Sequence, residues 1–99
     1  MTRYRLRFHK LALDEWHKLD ASLREPLKKK LNERLKNPRL ASSALSGMPD
    51  CYKIKLRSAG YRLVYRVDDE VVFVTVIAVG KRDKQKVYEA AQSRISSEP

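Results

Sequence analysis

The sequence predicts a single α+β domain, residues 1–99, in which helices pack on a mainly antiparallel four-stranded sheet. Three observations predict this class. One stretch alternates basic and apolar residues on both sides of a glycine, one nine-residue run has a single threonine among apolar residues, and apolar residues elsewhere recur at helical spacing. In chain order the elements are β-α-α-β-β-β-α, and 99 residues are enough for one modest core but not for two.

The charge balance of the chain is unusual for a small globular domain. It has 22 Lys and Arg against 12 Asp and Glu, a formal net charge of +10, which predicts a polyanionic partner, RNA or DNA before a membrane surface. The single cysteine excludes an internal disulfide and fits a reducing compartment. With no signal-peptide pattern and no bilayer-spanning apolar run, we expect a cytoplasmic protein without a membrane partner. His9 and His17 have no partners at ligand spacing, so we expect no metal and no other cofactor.

The first strand and first helix differ in the period of their apolar residues. Residues 2–8 alternate apolar side chains with arginines, which predicts a half-buried strand whose basic side is solvated at a sheet edge. Residues 10–19 instead place Ala12, Leu13 and Trp16 on one helical face.

A second, amphipathic helix is predicted to end before Pro38. Residues 22–25 match a capping box, and we choose Ser22 over Asp20 as the N-cap because a start at Asp20 would place Pro26 deep inside the helix. Leucines recur every fourth position on one face. The basic side chains around them are a candidate contact with RNA or the ribosome, although periodicity alone favours a solvated face. The lysines concerned are Lys28, Lys29 and Lys30.

A β-hairpin over residues 51–67 is the centre of the predicted fold. Apolar residues face apolar residues only when Ile54 lies opposite Leu63, and that register also places Lys55 opposite Arg62. Like charges that face each other across strands are destabilising. No Asp or Glu lies within the hairpin to offset them. Such a conflict indicates a functional site, and the alternative is a solvated strand face that is simply basic.

The C-terminal part is predicted to supply a central strand and a closing helix. Residues 71–79 are apolar on both faces, which is typical of a strand covered on both sides, and Gly80 closes it after an acidic turn at 68–70. Asp83 is a suitable N-cap for a last helix. Residues 96–99 are expected to be a disordered tail.

The predicted strands and last helix bring basic and aromatic residues into one concavity. It suits a phosphodiester with a base stacked beside it. Metal-free RNA cleavage needs a base for the 2′-hydroxyl, charge stabilisation at phosphorus and help for the departing 5′-oxygen. This face offers neither His nor Glu, and a lysine can act as the base only if neighbouring cations depress its pKa. The residues concerned are Lys53, Lys55, Arg62, Lys81, Arg82 and Tyr88.

At these residues the chain resembles the RelE family of toxins from bacterial toxin–antitoxin systems. The resemblance covers nearly the whole chain and is densest at residues 47–65, at Val-Gly-Lys-Arg (79–82) and at Val-Tyr (87–88), while Leu-Lys-Lys-Lys-Leu (27–31) also matches. It implies the microbial-RNase-like RelE fold. It also implies a metal-independent endoribonuclease that cleaves mRNA in the ribosomal A site by 2′-hydroxyl attack. The family's catalytic set falls on Lys53, Lys55, Arg62, Arg82 and Tyr88.

The resemblance further implies roles and partners. Lys55 would be the general base, Lys53 and Arg62 would stabilise the transition state, and Tyr88 would orient the nucleotide. Arg82 would act at the leaving oxygen. The implied partners are the ribosome, mRNA, a RelB-like antitoxin that displaces the last helix, and operator DNA reached through that antitoxin. Two alternatives remain: a ParE-like toxin directed at gyrase, and a non-catalytic RNA-binding module of the same fold.

Overall fold

Four strands form one sheet in the spatial order β1-β4-β3-β2. The computed structural model describes residues 3–81 and 85–96, so Arg82, Asp83 and the tail beyond Ser96 lie outside the described residues. The elements are β1 (Arg5–Phe8), α1 (Lys10–His17), α2 (Ala21–Lys36), β2 (Cys51–Leu56), β3 (Tyr61–Asp68), β4 (Phe73–Lys81) and α3 (Lys86–Ser96). β1 runs parallel to β4, and the other two pairings are antiparallel. The predicted α+β class and element order are confirmed.

The central hairpin has the predicted register. Ile54 pairs with Leu63, and Lys55 pairs with Arg62. A four-residue connection joins β2 to β3, with a short 3₁₀ turn at Arg57–Ala59 followed by Gly60 at φ 67°. Because a left-handed backbone is unfavourable for residues with a Cβ, glycine suits this last position of the connection.

The two faces of the sheet carry separate cores. On the α1/α2 face, thirteen buried residues from α1, α2 and all strands except β1 form the larger cluster, which includes Leu31, Tyr65 and Val76. On the α3 face, six buried residues form a smaller cluster: Cys51, Val64, Ile77, Ala78, Val87 and Ala91. β4 contributes to both clusters, as its apolar sequence predicts for a strand covered on both sides.

A β-bulge in β4 was not predicted from the sequence. Val64 pairs with Ala78 but the next residue of β3, Tyr65, pairs with Val76, so Ile77 is an extra residue. Ile77 and Ala78 consequently both pack in the α3-face cluster, and Val79 returns to the other one. The alternation of faces along β4 is therefore shifted by one residue beyond the bulge.

The start of α2 differs from the prediction. The helix begins at Ala21 with Asp20 as its N-cap, so Pro26 lies inside it. The Asp20 carbonyl accepts from the backbone N–H groups of Leu23 and Arg24, both at 2.9 Å. Pro26 cannot donate to the carbonyl of Ser22, but Ser22 is exposed, and water can replace that donor.

Two further boundaries differ. Val71 is 51% exposed and Val72 has φ 60°, so both belong to the turn and β4 begins at Phe73. At its other end β4 continues through Gly80, because Arg62 of β3 still pairs with it. Ser96, which was expected in a disordered tail, is the last residue of α3.

Candidate active site

Three neighbouring strands bring a row of candidate residues to the α3 face of the sheet. Lys55 of β2 pairs with Arg62 of β3, and Arg62 pairs with Gly80 of β4. Facing residues of antiparallel strands have Cβ atoms about 5 Å apart and point to the same side. A Cβ at Gly80 would meet no atom within 4 Å, so the third position of the row is open space. The row therefore presents two cationic side chains beside a gap.

Arg62 is the most buried cation of this row. Only 6% of its surface is exposed, and its Nη1 donates to the carbonyl of Tyr61 at 2.9 Å. Within residues 3–81 and 85–96, no carboxylate forms an ion pair with it. A buried guanidinium without a counter-ion is costly, and a bound phosphate would supply one. The geometry suits anion binding at this position.

Lys53 lies two residues from Lys55 along β2 and lines a cleft with the last helix. This cleft, about 350 Å³ in volume, has Tyr88 and Glu89 of α3 on one side and Met48 on the other. Tyr88 is half-buried and presents a ring next to a lysine. A nucleobase could stack there while its phosphate contacts Lys53.

A second cleft, of about 470 Å³, lies on the other side of β2. Lys53 and Lys55 line it together with Lys30, Arg57 and Glu33. Lys53 therefore borders both clefts, and a polyanionic chain could follow the basic side chains across the strand. Glu33 and Glu89 are carboxylates close to the basic residues, which the sequence alone had not associated with the site.

Arg34 of α2 fixes the strand that carries the two lysines. Its Nη1 donates to the carbonyl of Lys53 at 3.1 Å and to the hydroxyl of Tyr65 at 2.9 Å, and its Nη2 donates to Ser43 at 3.2 Å. The Tyr65 hydroxyl in turn donates to the carbonyl of Pro38 at 2.6 Å. Burial raises the pKa of Tyr65, so this hydroxyl stays protonated as a donor. In the sequence, Arg34 is one of several basic residues around the leucine face of α2, and no signal distinguishes it from the others.

The structure brings four of the five predicted catalytic residues together. Lys53, Lys55 and Arg62 share the α3 face of the sheet, and Tyr88 borders the same cleft as Lys53. Arg82, the fifth, lies outside the described residues and directly follows Lys81, the last residue of β4.

The predicted RNA- or ribosome-binding lysines do not form one surface. Lys30 lines the 470 Å³ cleft beside Lys53, whereas Lys28 lines a separate groove with Trp16 between α1 and α2. Lys29 is exposed on α2. Lys81 is exposed at the end of β4 and lines a third cleft with residues of α1 and α3.

Residues 3–81 and 85–96 contain no group of three His, Cys, Asp or Glu side chains arranged to bind a metal ion. In that part, no helix combines the length and hydrophobicity that crossing a bilayer requires.

The chain is similar to known toxins over nearly its whole length. The family model described as "ParE toxin of type II toxin-antitoxin system, parDE" matches residues 6–86. The mRNA interferase toxin RelE of Escherichia coli strain K12 is 60% identical over 92 residues, which cover 93% of this chain and 97% of that protein.

Solved structures agree with these matches. A double mutant of the E. coli toxin RelE in the free state superposes with a TM-score of 0.88 at 58% identity, covering 94% of this chain and 98% of that one. The toxin in the intact E. coli RelBE toxin–antitoxin complex has a TM-score of 0.79 at 60% identity, covering 82% of this chain and 99% of that one.

Proposed function

The chain belongs to the RelE/ParE family of type II toxin–antitoxin toxins, and from this premise we propose that it is a ribosome-dependent mRNA interferase. It cleaves mRNA in the ribosomal A site and thereby inhibits translation. The E. coli relative is named an mRNA interferase, and its identity of 60% over 93% of this chain places the RelE activity ahead of the gyrase-directed alternative.

The observation that carries the proposal is the pairing of Lys55 with Arg62 across the central hairpin. Two cations on neighbouring strands, with Lys53 on the same face, match the charge of a phosphodiester and of its transition state. Tyr88 adds a ring for base stacking at the adjoining cleft. A module that only binds RNA needs basic charge but has no need for two cations at facing positions of neighbouring strands.

The cleavage step uses the 2′-hydroxyl of the mRNA as nucleophile. Lys55, in its neutral form, accepts the hydroxyl proton while the 2′-oxygen forms a bond to phosphorus. The bond from phosphorus to the 5′-oxygen then breaks, which gives a 2′,3′-cyclic phosphate and a 5′-hydroxyl. Lys53 and Arg62 stabilise the negative charge that develops on the phosphoryl oxygens.

Arg82 acts at the leaving oxygen in this scheme. A guanidinium is effectively never deprotonated in proteins, so we assign Arg82 electrostatic support of the 5′-oxygen, which takes its proton from water. In the sequence, Arg82 directly follows Lys81, the last residue of β4.

The ribosome supplies the substrate positioning that the isolated site does not provide. No histidine lies among the candidate residues, and the two clefts are open grooves without an enclosed base-reading pocket. Positioning of the substrate can contribute about 7–11 kcal/mol to lowering a barrier. The exposed lysines Lys28, Lys29, Lys30 and Lys81 contribute to ribosome or RNA binding, and efficient cleavage is expected only on the ribosome.

The remaining parts of the proposal concern partners and location. A RelB-like antitoxin neutralises the toxin, as the solved RelBE complex of the E. coli relative indicates. The antitoxin also carries the toxin to operator DNA, where the complex represses its own operon. We place the protein in the cytoplasm, where ribosomes are available, and we treat residues 1–99 as one catalytic domain without a cofactor.

The test is incubation of the purified protein with translating ribosomes, followed by mapping of new mRNA 5′-ends. Ends within the A-site codon that carry a 5′-hydroxyl are expected, with naked mRNA at the same salt concentration as the control. Binding to ribosomes without new ends would support the RNA-binding module instead. Inhibition of gyrase supercoiling without mRNA cleavage would support the ParE-like alternative.

A further inference from the structure

β4 pairs with β1 only as far as Val76, and it continues unpaired on that side toward the candidate active site. β1 ends at Phe8, which pairs with Val76, and His9 N–H donates to the Val76 carbonyl at 2.8 Å. The bulge at Ile77 follows directly, and β4 continues to Lys81. Beyond the bulge, the outer edge of β4 is thus no longer bonded to β1, although the other edge still pairs with β3.

Two side chains take over the hydrogen bonds of that edge. Arg94 Nη1 donates to the carbonyl of Ile77 at 2.8 Å, and Glu15 Oε1 accepts from the backbone N–H of Val79 at 3.2 Å. The two side chains also bind each other with two contacts, Nη1 to Oε1 at 2.8 Å and Nη2 to Oε2 at 2.9 Å. Glu15 and Arg94 therefore act together as one acceptor and one donor where a strand would otherwise supply them.

The geometry of this pair is well defined. Only 13% of the Arg94 side chain and 33% of the Glu15 side chain are exposed, and a bidentate guanidinium–carboxylate pair restricts both position and angle. The hydrogen bonds that Arg94 donates to the Glu15 carboxylate raise the pKa of Arg94. Glu15 lies on α1 and Arg94 on α3, so the pair joins two helices to the strand between them.

The residues that the pair holds lead into the candidate active site. Val79 is followed by Gly80, which pairs with Arg62, and then by Lys81, which pairs with Tyr61. The direction of the strand at Val79 thus sets where Gly80 and Lys81 lie relative to the Lys55–Arg62 pair.

We propose that Glu15 and Arg94 are positioning residues for mRNA cleavage, which fix the end of β4 beside Arg62. The inference rests on the proposed function, since it assigns the pair a part in that reaction. Neither side chain is assigned contact with the substrate. A misplacement of about 1 Å in a catalytic group can cost 10²-fold in rate, so a loosened strand end is expected to lower kcat more than it raises KM.

The decisive variant is the exchanged pair, Glu15→Arg combined with Arg94→Glu. It restores an ion pair between the two helices, but an arginine at 15 cannot accept from Val79 N–H and a glutamate at 94 cannot donate to the Ile77 carbonyl. We expect the exchanged pair to regain much of the melting temperature that Arg94→Ala loses. Its kcat on ribosomes should stay about 10- to 100-fold below that of the wild-type protein.

A matched control is available elsewhere in the molecule. Arg39 forms ion pairs with Asp50 at 2.9 Å and Asp69 at 2.7 Å, and the cleft that it lines contains none of the candidate residues. Arg39→Ala should lower the melting temperature and leave kcat unchanged. Glu15→Gln, which retains an acceptor for Val79, is the milder variant and should keep more activity than Glu15→Ala.

The outcomes separate the inference from the proposed function. If the exchanged pair restores kcat, or if Arg94→Ala lowers kcat no more than Arg39→Ala does, the positioning role is wrong. If the wild-type protein does not cleave mRNA, the proposed function fails first. Amide hydrogen exchange at Val79 then tests the pair by itself. Exchange at Val79 should become faster in Arg94→Ala. Unchanged exchange would show that the Glu15–Arg94 pair does not hold the end of β4.

Discussion

The two faces of the sheet are built from the same strands but differ in composition: one carries the larger apolar core, and the other carries the candidate catalytic cations. On the α1/α2 face, alternate residues of β2 and β3 such as Ile54 and Leu63 are almost completely buried. On the α3 face, the residues between them include Lys53, Lys55 and Arg62, and the short helix α3 covers only part of that side. A large core on one face can therefore support a row of cationic side chains on the other.

The comparison predicts that activity and stability can be changed separately, face by face. Substitutions on the α3 face should reduce cleavage with little loss of folding free energy. Substitutions on the α1/α2 face should do the reverse until the protein unfolds. The predictions below are ordered from the largest expected effect to the smallest.

Lys55→Ala should reduce mRNA cleavage on ribosomes by about 10²- to 10⁴-fold, because a general base is lost. The circular dichroism spectrum should be unchanged. Lys18→Ala, which removes an exposed lysine of the same charge from the end of α1, is the matched control and should cleave normally. Lys55→Arg keeps the positive charge but cannot act as a base. Near wild-type cleavage by Lys55→Arg would show that Lys55 is only an electrostatic contact.

Leu31→Ala should cost about 2–5 kcal/mol of unfolding free energy, since Leu31 is fully buried in the α1/α2-face core. Chemical denaturation would measure the loss. Cleavage by the fraction that remains folded should have an unchanged kcat. A fall in kcat at full folding would mean that the two faces are coupled more tightly than their separate cores suggest.

Arg34→Ala should affect both faces, because Arg34 links α2 to the backbone of Lys53. Loss of its hydrogen bonds should cost about 1–3 kcal/mol in unfolding free energy. Cleavage should fall as well, because the position of β2 is less restricted. Ser43→Ala removes only the 3.2 Å contact to Arg34 Nη2 and is the matched control, with a smaller effect on both measurements.

Gly80→Ala should leave the melting temperature nearly unchanged, because an added Cβ meets no atom within 4 Å. The same methyl group would stand beside Arg62, where a phosphate is proposed to bind. Cleavage is therefore expected to fall by a few-fold through a higher KM. An unchanged KM would indicate that the substrate does not approach the third position of the row.

Acidification should weaken a polar network far from the site. Asp69 accepts from Tyr4 and Arg39, and these hydrogen bonds lower its pKa. A carboxylate with a lowered folded-state pKa stabilises the protein above its unfolded pKa of about 3.9, and that stabilisation is lost as the pH falls through the folded-state pKa. The melting-temperature difference between wild type and Asp69→Asn should thus shrink below about pH 4, with no change in kcat at neutral pH.

The parts of the structure that could be predicted from the sequence are those that depend on a pattern within a short stretch of residues. The hairpin register, including the Lys55–Arg62 pairing, follows from alternation within 17 residues, and the buried strand β4 follows from its composition. The bulge left no such signal, because residues on both sides of Ile77 are apolar and a shift by one residue changes nothing in the pattern.

The missed residues of the site depend on contacts between distant segments. Glu15 and Arg94 lie 79 positions apart, and each is an ordinary charged residue on an amphipathic helix. Arg34 reaches a backbone carbonyl 19 positions away. The prediction of Ser22 as the N-cap of α2 was wrong because it assumed that Pro26 cannot lie inside the helix. Pro26 is tolerated there because the carbonyl of Ser22, which loses its donor, is in an exposed turn. The catalytic roles of Lys53, Lys55, Arg62, Arg82 and Tyr88 stay predictions.

The parallel pairing of β1 with β4 also delays completion of the sheet until late in the synthesis of the chain. Arg7 pairs with Thr75, which is made 68 positions later, and β1 connects to β3 and β2 only through β4. The hairpin that carries Lys55 and Arg62 can form early from local contacts, but closure of the long loop must wait for the last strand. A nascent chain whose β4 has not yet left the ribosome can therefore form the charged hairpin. It cannot yet form the pairing of Arg62 with Gly80. We therefore expect the candidate active site to be assembled only when the chain is nearly finished.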